Sequence, residues 1–310
     1  MVASILLLTI FLILSDIAFA SDQSSLIILR PNLDGPYTNL FDNIVNGVQK
    51  GFNDSDRLQI IQTENNSAKP LEKVNASQDD FILLLTPKLL EEVTKKYPNN
   101  QIAIAITTQK FSAPNVSSFM LIPNPDVVFK KLSKFSVTTK RIYMILHLKS
   151  MQWLADAAQA AAKTHNYDLQ IINTEGLSES ALAYRNIIKG MDPKTDAIWV
   201  TQDNMTMDAR VILPFLLDRL WNDGLLMFST VLVYVDRGMA FGAFPNNEMY
   251  GQQIGKQIKN LLDADQKLKP IYLLDTPDFA MNLRTTRHLK AQLYPNAEQQ
   301  FNIFLPRDFR

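Results

Sequence analysis

The sequence contains no cysteine among its 310 residues. This absence excludes disulfide bonds, zinc sites built on thiolates, cysteine nucleophiles and a lipid-modified N-terminal cysteine. An excess of one charge is missing as well, because 31 lysines and arginines balance 31 aspartates and glutamates. Such a chain has no strong field for nucleic acid or anionic lipid. With 46% hydrophobic and 20% charged residues, it has the composition of a folded protein.

Short catalytic motifs are also missing. The three histidines, His147, His165 and His288, form no HExxH or other close metal-ligand spacing. The chain has no GxSxG elbow, no P-loop and no GxGxxG fingerprint. We therefore expect no catalytic residues, no metal site and no cofactor. A binding protein is favoured over an enzyme, which remains a third hypothesis.

One long apolar run is present, at the amino terminus. Ile5 to Leu14 read ILLLTIFLIL, and Ala18-Phe19-Ala20 places small residues where signal peptidase reads the chain. The run is too short to span a membrane, although no lysine or arginine precedes it as in a usual signal peptide. We expect residues 1–20 to be a signal peptide cleaved after Ala20, with an uncleaved anchor as the alternative. An exported chain without cysteine fits a periplasmic location.

Short apolar strands then alternate with helices along the chain. A first series of predicted strands comprises Leu26–Leu29, Leu58–Gln62, Phe81–Leu85, Ile102–Ile106 and Phe119–Ile122. A second comprises Ile142–Leu146, Leu169–Ile172, Ala197–Val200, Leu226–Ser229, Ile271–Leu274 and Met281–Leu283. The alternation predicts mainly parallel sheets covered by helices, and the two series predict two doubly wound α/β lobes with a cleft between them.

Small polar residues follow the predicted strands. Ligands of open α/β sheets bind beyond the carboxyl ends of the strands, so two facing lobes would direct these residues at one another. The candidate ligand-binding residues are Asp34, Tyr37, Thr86, Thr107, His147, Thr201, Asp203 and Ser229. Each also has a structural interpretation as a helix cap or turn residue. Asp203 is the favoured single candidate, whereas Trp199, in the middle of a strand, is expected in the core.

Three segments of the second half resemble a known family. They are Asp196-Ala-Ile-Trp-Val-Thr-Gln-Asp203, the run GMAFGAFPNNEMYGQQIGKQIKNLL from Gly238 to Leu262, and Asn282-Leu-Arg-Thr-Thr-Arg-His-Leu289. These segments are similar to parts of the periplasmic substrate-binding proteins of ABC transporters with the type I fold. The first half departs from the family, because Ser117-Ser-Phe-Met-Leu-Ile-Pro-Asn124 replaces its usual Asn-Val-Thr-Gly turn.

The resemblance implies two Rossmann-like lobes, joined by three crossings, that close over a small ligand. The expected first lobe comprises residues 21–138 and 245–268, and the second 139–244 and 269–310. The expected function is to capture an amino acid-like or other polar solute and deliver it to the membrane permease of an ABC-type importer. The alternative is a periplasmic sensor or interaction module that regulates a membrane kinase, cyclase or envelope enzyme. We expect a monomer with no nucleic-acid partner.

Overall fold

The computed structural model describes residues 24–32, 35–63, 69–289, 293–301 and 303–306. The predicted signal peptide and the candidate Asp34 lie outside the described residues. In chain order the elements are β1 (Leu26–Pro31), α1 (Pro36–Phe52), β2 (Leu58–Thr63), β3 (Phe81–Leu84), α2 (Leu90–Lys96), β4 (Gln101–Thr107), β5 (Val116–Pro123), α3 (Pro125–Phe135), β6 (Arg141–Leu146), α4 (Leu148–Thr164), β7 (Asp168–Asn173), α5 (Leu177–Gly190), β8 (Asp196–Val200), α6 (Ile212–Asp223), β9 (Leu226–Ser229), α7 (Leu232–Arg237), β10 (Phe241–Pro245), α8 (Asn247–Asp263), β11 (Ile271–Leu274), β12 (Pro277–Asn282), α9 (Leu283–His288) and β13 (Ile303–Leu305).

The strands form two sheets. The first has the order β11-β5-β4-β3-β1-β2, and all of its pairings are parallel. The second has the order β13-β12-β10-β9-β8-β6-β7, and it is parallel except where β12 runs antiparallel to β10. The two parallel-dominated sheets with helices confirm the predicted α/β class with two doubly wound lobes.

Local sequence signals explain where several helices begin and end. Asn124 caps α3, because its side-chain oxygen accepts a hydrogen bond from the Asp126 amide at 3.1 Å. Asn246 caps α8 in the same way, at 3.1 Å from the Met249 amide. Helix α6 ends at Gly224, whose φ of 68° suits the left-handed turn that closes a helix. These polar caps satisfy amides that the helices themselves leave free.

The chain passes between the sheets three times. It leaves the first sheet through β5 and α3, returns through α8, and leaves again between β11 and β12. Sheet membership departs from the expected division at two segments. Strand β11 lies at the edge of the first sheet although 269–310 was assigned to the second lobe. Helix α3 packs Val128 and Phe129 into the core of the second lobe, because its apolar face meets α4 there.

Strands β5 and β11 contribute to both cores, because successive side chains of a strand point to opposite faces. Phe119 of β5 stacks on Tyr272 of β11, with ring centroids 4.6 Å apart, on the face that α1 and α8 cover. Met120, on the other face of β5, packs in the second-lobe core together with α3 and α4. On β11, Ile271 and Leu273 pack against that same second-lobe core. The two lobes are therefore joined by a continuous apolar contact.

The second-lobe core is built around aromatic rings. Trp199 is fully buried, as its position in the middle of β8 predicts. Its ring lies 5.2 Å from that of Phe129 in an edge-on arrangement, and 6.0 Å from that of Phe228 in a stacked one. Phe228 stacks in turn on Phe241 at 4.9 Å. Such pairs add to the stability that burial provides.

Helices α1 and α8 meet at four glycines. Gly47 and Gly51 lie on α1, and Gly251 and Gly255 lie on α8. At each of the four positions, an added Cβ would fall closer than 3.0 Å to a backbone carbonyl oxygen of the other helix. The two backbones therefore touch directly, and no larger residue fits without separating the helices.

Replacement of Gly251 by alanine is expected to lower the free energy of unfolding by about 3 kcal/mol, at the upper end of the range for overpacked cores. The physical reason is that rigid backbone faces the new methyl group. Urea denaturation followed by circular dichroism measures the change. Gly190→Ala in α5 is the control, because no heavy atom lies within 4 Å of its added Cβ. Similar stabilities for the two variants would contradict the proposed contact.

Candidate functional site

Asp203 lies directly behind β8 and is only 5% exposed. Its Oδ2 accepts a hydrogen bond from the His147 amide at 2.8 Å, and its Oδ1 accepts one from the Met205 amide at 3.0 Å. The carboxylate thus ties the turn after β8 to the end of β6. Asp203 is therefore a turn residue, which is the alternative interpretation of the sequence. Its contact with a ligand stays a prediction.

The hydroxyl of Ser229 also forms hydrogen bonds with nearby backbone groups. Its hydroxyl donates to the Val200 carbonyl at 2.8 Å and accepts from the Val231 amide at 3.0 Å, which fixes the turn between β9 and α7. Thr201 and Thr230 follow the same two neighbouring strands. The hydroxyl of each is buried without a hydrogen-bond partner in the described part of the chain. Because buried polar atoms nearly always have partners, these two hydroxyls leave hydrogen-bonding capacity at the strand ends.

His147 stands between β6 and the first turn of α4. Its Nδ1 lies 2.8 Å from the Ser150 hydroxyl, and its Nε2 lies 3.5 Å from Oε2 of Glu175. Tyr184 is fully buried in the neighbouring core. Burial raises the pKa of the Tyr184 phenol, and the Asp203 carboxylate acts in the same direction. The polar groups of this strand end are therefore held in fixed positions by their neighbours.

In the first lobe, Thr107 ends β4 and is buried. Its hydroxyl oxygen accepts from the Gln109 amide at 2.9 Å and so closes a tight turn. Thr86 precedes a 3₁₀ turn, Pro87–Leu89, and makes no side-chain cap there. Tyr37 lies in the first turn of α1. The structure thus assigns Thr107 to a turn, and the ligand contacts expected of these residues stay predictions.

The carboxyl end of β4 is strained. The pairing with β5 shifts register between Ile104 and Thr107, and Ile106 has a φ of 48°, which is unusual for a β-branched residue. The displaced Ile106 amide donates to the phenol oxygen of Tyr250 at 3.2 Å, and that phenol donates to the Phe119 carbonyl at 2.7 Å. Burial raises the pKa of the Tyr250 phenol, which keeps it in the donating form. Helix α8 thereby stabilises a strand end that strain would otherwise disfavour.

An open groove of about 680 Å³ lies between the lobes. The loop after β4 forms one wall, the first turns of α4 form the other, and two side chains of β11 form the floor. The lining residues are Gln109, Lys110, Ser112, Lys149, Ser150, Gln152, Trp153, Asp156, Ala157, Ile271 and Leu273. A volume in the range of about 300–1,000 Å³ is typical of small-molecule sites.

The eight candidate residues are absent from the described lining of this groove. Thr107 and His147 stand immediately before its two walls, since each precedes a lining residue by two positions, Gln109 and Lys149. Position in the chain is the signal that could have indicated the lining residues, because both walls of the groove follow the carboxyl ends of strands. The predicted candidates stand within the first few polar positions after each strand, whereas the groove is lined by residues further on.

A hydrogen-bond cluster joins the three crossings. The side chain of Asn124, before α3, donates to Oδ1 of Asp275 at 2.7 Å, and its amide donates to the Leu274 carbonyl at 2.8 Å. Gln253 of α8 donates from Nε2 to the Leu273 carbonyl at 2.6 Å and accepts from the Asp275 amide at 2.9 Å. Asn124, Gln253 and Asp275 therefore hold the crossings together, and we call them the crossing cluster.

Comparisons with known proteins rest on structure alone. No family model and no curated protein matches the sequence. A ligand-free, open substrate-binding protein with adhesive properties from Clostridium difficile is 16% identical, with a TM-score of 0.57 over 91% of this chain and 98% of that one. An ABC domain in complex with L-Trp from Streptococcus pneumoniae is 14% identical, with a TM-score of 0.50 over 91% and 99%. A conserved domain protein from Vibrio cholerae is 12% identical, with a TM-score of 0.51 over the same shares.

At these identities the comparisons show the fold, and the chain has the type I periplasmic binding protein fold that the sequence predicts. Within the described ranges, no helix is long and apolar enough to cross a membrane. No group of three histidine, cysteine, aspartate or glutamate side chains in those ranges is placed to hold a metal ion. The arrangement is suited to hydrogen bonding and to apolar contact with a small molecule.

Gln253→Leu is expected to lower the free energy of unfolding by about 1–3 kcal/mol, because it leaves the Asp275 amide and the Leu273 carbonyl without their partner. With the usual entropy of unfolding per residue, each kcal/mol corresponds to about 1.5 °C in melting temperature for a chain of this size. Gln252→Leu is the matched control on the same helix, since its amide has only a 3.5 Å contact with Glu248. Equal melting temperatures for the two variants would show that the crossing cluster contributes no stability.

Asp203→Ala is expected to lower the free energy of unfolding of the ligand-free protein by about 1–3 kcal/mol, because two amides lose their acceptor. Denaturation in urea without any added ligand measures this. The neighbouring exposed residue provides the control, as Asn204→Ala should change little. If Asp203→Ala is as stable as the parent protein, the carboxylate is free for a ligand and the structural role is wrong.

Proposed function

We propose that this protein is a non-catalytic solute-binding protein that captures a small polar ligand between its two lobes. The observation that carries the proposal is the groove between two α/β lobes joined by three crossings. One structural neighbour is a substrate-binding protein solved ligand-free and open, and another is solved in complex with L-Trp. The first supports a substrate-binding role for this chain, and the second supports a ligand of the size of an amino acid, an amino acid-like or other polar solute.

Binding would proceed by closure of the lobes over the ligand. The continuous apolar contact forms the floor of the groove, and the crossing cluster adjoins that floor through β11. Relative motion of the lobes is therefore expected to be largest away from the floor. Thr107 and His147 stand next to the groove walls and would approach a ligand that extends beyond its lining. The unpartnered hydroxyl of Thr201 is buried in the ligand-free protein and would meet a ligand only after local rearrangement. Asp34, Tyr37 and Thr86 remain proposed ligand contacts. Asp203 and Ser229 would contact a ligand only with the hydrogen-bonding capacity that their bonds within the chain leave.

The wider setting follows from the proposal. The chain would be exported by residues 1–20, cleaved after Ala20, and act in the periplasm as a monomer. It would deliver its ligand to the membrane permease of an ABC-type importer. The lobes would divide as expected from the sequence, apart from the two segments whose packing differs.

A periplasmic sensor or interaction module is the second candidate. One observation favours it: Met205, Val211 and Val233 follow β8 and β9 and are 44%, 69% and 55% exposed. Where exposed apolar side chains form one contiguous patch, they mark a contact with another protein. Such a contact would serve a kinase or cyclase that reads the state of the lobes. Recovery of a kinase or cyclase, rather than a permease, by cross-linking in membranes would favour this candidate.

Screening by thermal shift and small-angle X-ray scattering tests the main proposal. Amino acids, peptides, sugars, nucleosides and organic acids should include at least one compound that raises the melting temperature and reduces the radius of gyration together. A ligand at a hundred times its Kd stabilises the folded state by about 2.7 kcal/mol. Gln252→Leu should respond like the parent protein. Failure of every class of compound to produce either change would contradict a solute-binding role.

A further inference from the structure

We propose that the groove takes a small organic anion with an apolar portion, held by one lysine from each lobe. The inference rests on the proposed solute-binding function and names the chemical class of its ligand. Lys110 lies in the loop after β4 of the first lobe, and Lys149 lies in the first turn of α4 in the second. The same groove therefore receives a positive charge from both sides.

Both lysines are available to a ligand. Among the residues that the structure describes, neither ammonium group has an ion pair or a hydrogen bond, unlike that of Lys95, which pairs with Glu91 at 2.6 Å. The one carboxylate of the lining, Asp156, already accepts a hydrogen bond from Gln152 at 2.8 Å. Counted over the described residues, two lysines against one aspartate give the lining a net charge of +1. This excess favours an anion.

A third feature of the lining is the indole of Trp153. It lines the groove, is only 9% exposed, and its indole Nε1 has no acceptor in the described part of the chain. A buried N–H without an acceptor costs free energy in the ligand-free protein. An indole can only donate, so the atom that satisfies it must be an acceptor. The Nε1 atom is itself buried in the ligand-free groove, so the two ammonium groups are the donors that a ligand meets there, and carboxylate or phosphate oxygens complement them.

The floor of the groove favours an apolar portion in the ligand. Ile271 and Leu273 of β11 present their side chains there, and the Trp153 ring and Ala157 adjoin them. An apolar portion of the ligand buried on this floor would gain the usual stabilisation of about 25 cal/mol per Å² of apolar surface. A purely polar anion such as inorganic phosphate would leave the apolar floor exposed to water. The lining thus matches an amphipathic anion.

The division of the two lysines between lobes gives binding a mechanical consequence. When the lobes approach without a ligand, two like charges come together at the mouth of the groove, which disfavours closure. An anion between them reverses the sign of the interaction. Binding and closure are then coupled through charge, and the coupling weakens as salt screens it.

Matched pairs of probes test the class of ligand. 3-Phenylpropionate, hexanoate and phenyl phosphate are each compared by calorimetry with the neutral 3-phenylpropionamide, hexanamide and phenol. We expect the anion of at least one pair to bind at least tenfold more tightly than its neutral partner. Lys110→Gln and Lys149→Gln should each weaken the anion by about ten- to hundredfold and leave the neutral compound unchanged. Lys194→Gln, an exposed lysine before β8, is the control and should change neither.

Tryptophan fluorescence places the ligand in the groove. Anion binding should change the emission of Trp153, so Trp153→Phe should abolish the change, whereas Trp221→Phe should retain it because Trp221 lies outside the lining. The proposal is overturned if neutral partners bind as tightly as anions, or if both lysine variants bind anions normally. In either case binding itself supports the solute-binding function. Absence of binding by every probe would overturn the anion proposal, and failure of the broader screen as well would overturn the solute-binding function.

Discussion

The close contact between α1 and α8 determines how the two lobes are joined. Gly47 and Gly51 face Gly251 and Gly255, and the helices meet backbone to backbone. Helix α8 is one of the three crossings, so this contact fixes a crossing firmly to the first lobe. Because of this contact, α8 is part of the first lobe and not merely a connection between the lobes. The remaining side chains of α8 are therefore held at defined positions relative to the first lobe.

Two of those side chains transmit the position of α8 to the groove. Tyr250 holds the bulged end of β4, from which the loop with Lys110 departs. Gln253 holds β11, which provides the floor, and Asp275, which joins the crossing cluster. Helix α8 therefore fixes the positions of both the floor and one wall of the groove. The other wall belongs to α4, which packs on the second-lobe core together with α3.

The sequence predicted the alternation of strands and helices well, because buried parallel strands are short apolar runs that stand out from their surroundings. Trp199 was placed correctly on the same basis. The position of β11 could not be read in this way, since an apolar strand of four residues suits the edge of either sheet equally. The glycines of α1 and α8 were also missed. Each pair is spaced by four, but only the structure shows that the two pairs face each other.

The candidate site shows a more general limit of sequence analysis. Where a buried strand ends, its last amides and carbonyls lose their partners in the sheet, and polar side chains nearby must replace them. Asp203, Ser229 and Thr107 do this, and their oxygens are occupied by the chain itself. Groups free to meet a ligand, such as Lys110 and Lys149, are then found a few residues beyond the strand, after the local requirement has been met. A sequence shows which residues are polar, but the structure decides which of them the backbone has already used.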